Sequence, residues 1–113
     1  MRHVVKSLSI LALTLALSQS LLAGTLESVK ARGTVKCGVN GEAPGLSFKD
    51  AAGHWQGMDV DFCRAIAAAT LGSRDKVEFV PLTLTAAPVA LAKGEVDVLA
   101  RNFSWNLERD VSA

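Results

Sequence analysis

Three short runs rich in β-branched residues, TVKCGV (34–39), KVEFVPL (76–82) and EVDVLA (95–100), each follow a segment of helical character. This alternation constrains the fold more than any other feature. Helix and strand repeated in that order predict an α/β domain with a parallel sheet, right-handed crossovers and helices on both faces. The first helical segment is TLESVKARG, where Thr25 can cap, Glu27 suits the positive end, and Lys30 and Arg32 suit the other end before Gly33. The second is MDVDFCRAIAAATLG, in which Met58, Phe62, Ile66 and Ala69 form one apolar stripe, Asp59 and Asp61 lie at the N-terminal end and Gly72 closes. The third is TAAPVALAKG, with Pro88 in its first turn and Gly94 as its cap. Between the first strand and the second helix, NGEAPGLSFKDAAGHWQG is dense in Gly, Pro, Asp and Asn, so a long loop is expected, with a small turn around Asp50 to Gly53.

Ahead of these elements lies a different composition. MRHVVK is short and basic, LSILALTLAL is an apolar run, and SQSLLA ends in the small residue Ala23. That pattern predicts a secretory signal peptide over residues 1–23, because the apolar run is well short of the roughly 20 residues that span a bilayer. Without it the chain keeps 10 Lys and Arg against 11 Asp and Glu, a near-neutral balance that excludes a basic nucleic-acid surface. The rest can bury one modest core, so a single domain or part of one is expected. Cys37 and Cys63 form an even pair in an oxidising compartment, which favours a disulfide over two buried free thiols.

In doubly wound sheets ligands bind beyond the carboxyl ends of the strands. Two segments meet that condition, Gly38–Gly41 after the first strand and Arg101–Asn106 after the third. The stretch RNFSWNLERD therefore lies where a site would be. An arginine near a helix start, preceded by hydroxyl and amide side chains, suits a carboxylate through its planar fork. On spacing alone, a surface pair of Arg109 with Glu108 or Asp110 is the favoured reading. Asp59 and Asp61 are explained by the helix dipole rather than by calcium, since no EF-hand spacing follows. His54 with Cys37 and Cys63 lacks the close-spaced ligand pair of a zinc site, so no metal or other cofactor is expected. Trp55 and Trp105 are expected to pack, Asn102-Phe103-Ser104 matches a glycosylation acceptor by coincidence, and no nucleophile elbow or phosphate loop occurs.

GMDVDFCRAIAAATLG followed by LAKGEVDVLARNFSWNLERD resembles the first lobe of the periplasmic polar amino-acid-binding proteins of ABC transporters, solute-binding protein family 3. The general L-amino-acid-binding subgroup is the nearest in look; TLESVKARGTVKCGVN, DVDFCRAIAAA and GEVDVLARN suit it, both cysteines included. The resemblance covers nearly all of residues 24–110. It implies an incomplete type II periplasmic-binding-protein-like fold, with residues 24–113 as the N-terminal part of lobe 1. It also implies that Arg109 grips the α-carboxylate, Ser104 adds a hydroxyl donor, and the backbone at Asn102 faces the amino group. The loop Val39–Gly41 would add a contact. Two positions depart from the pattern, Asn106 where relatives carry Thr, and Asn40 where many have an acidic residue nearby.

By the same resemblance the chain would be a periplasmic, non-enzymatic receptor handing L-amino acids to a permease in the inner membrane. Its second lobe is missing from these 113 residues, so a fragment or truncated product is expected, with an open sheet edge inviting aggregation. A micromolar binder has about −8 kcal/mol of binding free energy and each charge-assisted hydrogen bond about 1.5–3 kcal/mol, so losing a lobe's contacts would weaken binding to millimolar or beyond. One alternative is a periplasmic enzyme on the same fold, such as a cyclohexadienyl dehydratase, which needs a positioned acid or base; Glu42 and Glu108 are the carboxylates near the loops outside Asp110. Another is the sensor domain of a membrane receptor, which would require a transmembrane segment.

Overall fold

The computed structural model describes residues 24–104 and 106–111, except for the side chains of Arg109 and Asp110. The expected signal peptide and Trp105 lie outside the described residues. Ten elements follow in order. They are α1 (Thr25–Arg32), β1 (Val35–Val39), β2 (Glu42–Ala43), β3 (Ser47–Lys49), β4 (Trp55–Gln56), α2 (Met58–Leu71), β5 (Val77–Pro81), α3 (Ala86–Ala92), β6 (Val98–Leu99) and α4 (Leu107–Asp110).

The alternation produces the expected parallel sheet. Its order is β5-β1-β6, with Cys37 opposite Phe79 on one side and Val98 on the other. β1 is buried at Val35, Cys37, Gly38 and Val39, as a central strand covered on both faces must be. The buried apolar side chains are all valine, alanine or cysteine. Such small side chains let α2 lie close on β1 and β5, and Cys37 and Cys63 are joined in a disulfide across that contact, with Cα atoms 6.2 Å apart.

The helices end as their sequences suggest, at left-handed Gly33 and Gly72. They start differently. Gly24, not Thr25, precedes α1, and neither it nor Gly57 before α2 makes a side-chain cap. The first amides of α2 are instead taken by carbonyls of the preceding loop: Met58 donates to Gly45 at 3.0 Å and Asp59 to Leu46 at 2.9 Å. So close an approach leaves no room for a side chain at residue 57. A Cβ there would lie 2.2 Å from the Leu46 carbonyl oxygen, at a φ of +117°.

The apolar stripe expected on α2 is corrected. Met58 and Phe62 are 66% and 57% exposed and Ala69 is exposed, while Val60, Cys63 and Ala67 face the core with Ile66 half-buried. The disulfide fixes which face turns inward, and small residues on it pack tighter than Phe62 could. The third strand is shorter than 95–100. The amides of Glu95 and Val96 both go to the Ala90 carbonyl and close α3, so pairing with β1 starts where Asp97 donates to Lys36 and ends where Ala100 donates to Gly38. Asp97 also ties α1 to the sheet. Its carboxylate receives Arg32 and the Lys36 amide, the latter at 2.7 Å.

The region expected to be a long loop folds as a second sheet. Its antiparallel order is β2-β3-β4, with Glu42 opposite Phe48 and Phe48 opposite Gln56. The turn at Asp50–Gly53 connects β3 to β4, and Gly53 donates to the Asp50 carbonyl at 2.9 Å.

Candidate functional site

A cavity of about 640 Å³ opens at the carboxyl ends of the parallel strands. That volume is within the usual range of small-molecule sites. One wall comes from the strand ends: Asn40 and Gly41 after β1, Pro81, Leu82 and Thr83 at the end of β5, and Arg101 after β6. The opposite wall is the small sheet and its first turn, through Glu42, Pro44, Phe48, Lys49 and Trp55.

The two walls meet at Ser47. Its buried hydroxyl accepts from the Asn40 and Gly41 amides at 3.1 and 3.3 Å, holding the turn after β1 against β3. Gly41 lies at φ +88°, and a Cβ there would come within 3.2 Å of Pro81. The turn is thereby fixed, and Asn40 is aimed across the strand ends. Its amide donates to the Asn102 side-chain oxygen at 3.2 Å while its own oxygen accepts from the Glu42 amide at 3.2 Å. Polar residues just beyond β1 and β6 are thus one hydrogen-bonded unit.

Trp55 forms the floor on the small-sheet side. Its ring meets Phe79 of β5 at 5.4 Å between centroids, its carbonyl accepts from Arg64 of α2 at 3.1 Å, and Lys49 stands 5.1 Å above the ring. Arg101 on the other side donates through Nη1 to the Leu82 carbonyl. Among the described residues its buried Nε has no acceptor, and Oδ2 of Asp59 is likewise buried without a donor. Burial raises the Asp59 carboxyl above the ordinary range, and the charge of Arg101 pulls it the other way.

The family model for bacterial extracellular solute-binding proteins, family 3, matches residues 35–113. The chain belongs to that family. It is 43% identical over 113 residues to the general L-amino acid-binding periplasmic protein AapJ of Rhizobium johnstonii, covering 99% of this chain and 33% of AapJ. The chain therefore spans about a third of the length of the curated relatives it matches. Among solved structures, an ABC transporter periplasmic binding protein from Brucella ovis with glutathione bound superposes with a TM-score of 0.76 at 48% identity, over 80% of this chain and 28% of that one. The arginine-bound form of domain 1 from TmArgBP superposes at 0.66 with 27% identity, over 74% of this chain and 64% of that one. The curated relatives are transport-binding proteins; a dehydratase also shares the fold.

The structure places the residues expected to hold ligand in this family 3 lobe as follows. Asn40 lines the cavity and is joined to Asn102. Ser104 and Asn106 follow on the same segment, both exposed, and α4 carries Arg109, whose side chain lies outside the described residues. His54 Nδ1 lies 3.4 Å from the Asp50 carboxylate, and Cys37 and Cys63 are joined to each other in the disulfide. Sequence reasoning missed most of the opposite wall. Phe48, Lys49 and Trp55 sat in a segment expected to be loop, and Ser47 carried no signal. Arg101 did carry one, the first charged side chain beyond a strand end.

Proposed function

We propose that this chain forms the ligand-receiving part of lobe 1 in a periplasmic component of an amino-acid ABC transporter. Residues 1–23 would serve as the export signal and residues 24–113 as the lobe, presenting L-amino acids to a permease in the inner membrane. The observation that carries this reading is the cavity at the carboxyl ends of β1, β5 and β6, with Asn40 on its wall bonded to Asn102 beyond β6. In this reading Arg109 takes the α-carboxylate with help from Ser104, the Asn102 backbone faces the amino group, and Asn40 and Asn106 complete the polar rim.

Family relatives named for general L-amino acids support the substrate class. The arginine-bound domain 1 supports something more specific, that a single lobe of this fold can hold an amino acid. Binding in the millimolar range is therefore the expectation for this chain, since removing two or three charge-assisted contacts from a micromolar site forfeits about 1.5–3 kcal/mol each.

Titration of the purified chain with a panel of L-amino acids, followed by calorimetry and amide chemical shifts, tests the reading. Saturable shifts at Asn40, Gly41 and Asn102 are expected, and Arg109→Ala should weaken binding at least tenfold, as loss of a bidentate ion pair does. A folded chain silent to every amino acid would sink it.

A further inference from the structure

We infer that Arg101 is a ligand-selecting residue, placed to receive the hydrogen-bond-accepting end of an amino-acid side chain, a carboxylate or a carboxamide. This rests on the amino-acid-binding reading above and names the substrate class within it.

Among the described residues the charged groups of the cavity wall are Glu42, Lys49 and Arg101, two cations against one carboxylate. They are not equivalent. Glu42 is exposed on β2 and Lys49 is exposed beyond the Trp55 ring, whereas Arg101 is half-buried at the strand ends. Through Nη1 it is pinned to the Leu82 carbonyl, so its guanidinium has a fixed place rather than a solvated range of positions. With Nη1 engaged and Nε buried, the guanidinium offers the cavity its charge and its Nη2 donors, which suit the acceptor atoms of carboxylates and carboxamides and not alkyl chains.

The guanidinium is also incompletely satisfied. Nε is buried with no acceptor among the described residues. Asp59, the nearby carboxylate that feels its charge, forms no ion pair with it within 4.0 Å among those residues, and Oδ2 of Asp59 is itself left without a donor. Asp59 therefore acts as a positioning residue. Its charge acts on Arg101 without forming an ion pair with it among the described residues. A side chain with acceptors would meet the charge and the Nη2 donors of the guanidinium. An apolar one would desolvate it without compensation, and a cationic one would face Arg101 and Lys49 with like charge.

The order expected for the purified chain is glutamate and glutamine first, leucine next and lysine last, with glutamate roughly tenfold or more tighter than lysine, the equivalent of one charge-assisted hydrogen bond. Calorimetric titration of the same four ligands into Arg101→Met should reduce the spread to about threefold or less, while leucine changes little. Arg101→Lys should keep part of the glutamate preference and lose that for glutamine, because charge remains but the fork does not. Asp59→Asn gives an independent readout if Arg101→Met does not fold. Removing the negative charge behind Arg101 should tighten glutamate relative to glutamine by about two- to fivefold. An equal loss for all four ligands in Arg101→Met, or an unchanged glutamate-to-glutamine ratio in Asp59→Asn, would overturn the assignment. So would wild-type binding that favours leucine or lysine, which leaves the amino-acid-binding reading standing; silence to all four removes both.

Discussion

The two sheets of this molecule are held together by different means. In the β5-β1-β6 sheet, the buried side chains are apolar and the strands come from segments far apart in sequence, brought together by α2, α3 and the disulfide. In the β2-β3-β4 sheet the strands are two or three residues long, the neighbours are local, and the fixing groups are polar: the Ser47 hydroxyl toward β1 and the Asp50 carboxylate within the turn. The first sheet supplies a platform. The second supplies the wall that turns the ends of that platform into a cavity. A small lobe of this kind gains its site from a few hydrogen bonds rather than from its core, so core and site should fail under different perturbations.

The largest expected effect is on the platform. With no fully buried apolar side chain larger than valine among the described residues, the Cys37–Cys63 link closes a separation of 26 residues in the unfolded chain. Chain entropy assigns such a link about 3.5 kcal/mol. Replacing both cysteines by alanine should therefore lower the thermal midpoint by roughly 15–25 °C at the sensitivity usual for a domain of this size. A reductant should do the same to the wild type. A midpoint that moves by only a few degrees in both experiments would mean that packing, not the covalent link, compensates for the small core.

A smaller and more local effect is expected from Ser47→Ala. Two amides, those of Asn40 and Gly41, lose their acceptor in a buried place. An unsatisfied buried donor costs about 1–3 kcal/mol, less if water replaces the hydroxyl. Hydrogen exchange separates this from a general loss of stability. Protection should fall most at Asn40 and Gly41, while Val35 and Cys37 change only as far as global unfolding requires. Equal changes at all four would show that the two sheets are one cooperative unit and that the contrast between them is only chemical.

This difference also decides what could be read from the sequence. Side-chain pattern reports on apolar burial, and β1, α2 and β5 announce themselves by it. It reports on the inward face of α2 less well, because Val60, Cys63 and Ala67 pack inward where Met58 and Phe62 had the greater hydrophobicity. Strands as short as β2 and β4 leave no period to detect, and Gly, Pro and Asp in the same stretch signal loop correctly for each turn while hiding the pairing between turns. Gly57 needed the Leu46 carbonyl to be in place before its lack of a side chain had meaning. The polar side of the site was legible by position, since Asn40 and Asn102 follow strand ends. The hydroxyl that fixes Asn40 lies on another sheet, and nothing local in the sequence points to it.

The smallest expected effect concerns acid. The Asp50 carboxylate accepts from the amides of His54 and Ala52 at 2.8 and 2.9 Å and from the Gln56 side chain at 3.2 Å, and these bonds lower its pKa from the ordinary 3.8, the His54 amide contributing most. Because the folded value lies below the unfolded one, its stabilisation is fully present above the unfolded value and disappears as pH falls through the folded value. Asp50→Asn keeps one acceptor and loses the charge. It should therefore be less stable than the wild type near neutrality, with the gap closing in acid well below 3.8. The group sits at the surface of a turn, so solvent screening keeps the gap small, and denaturant titrations of both proteins across that pH range are needed to resolve it. If the gap instead widens in acid, the turn is not held by the ionised carboxylate, and the small sheet owes its shape to Ser47 and the glycines alone.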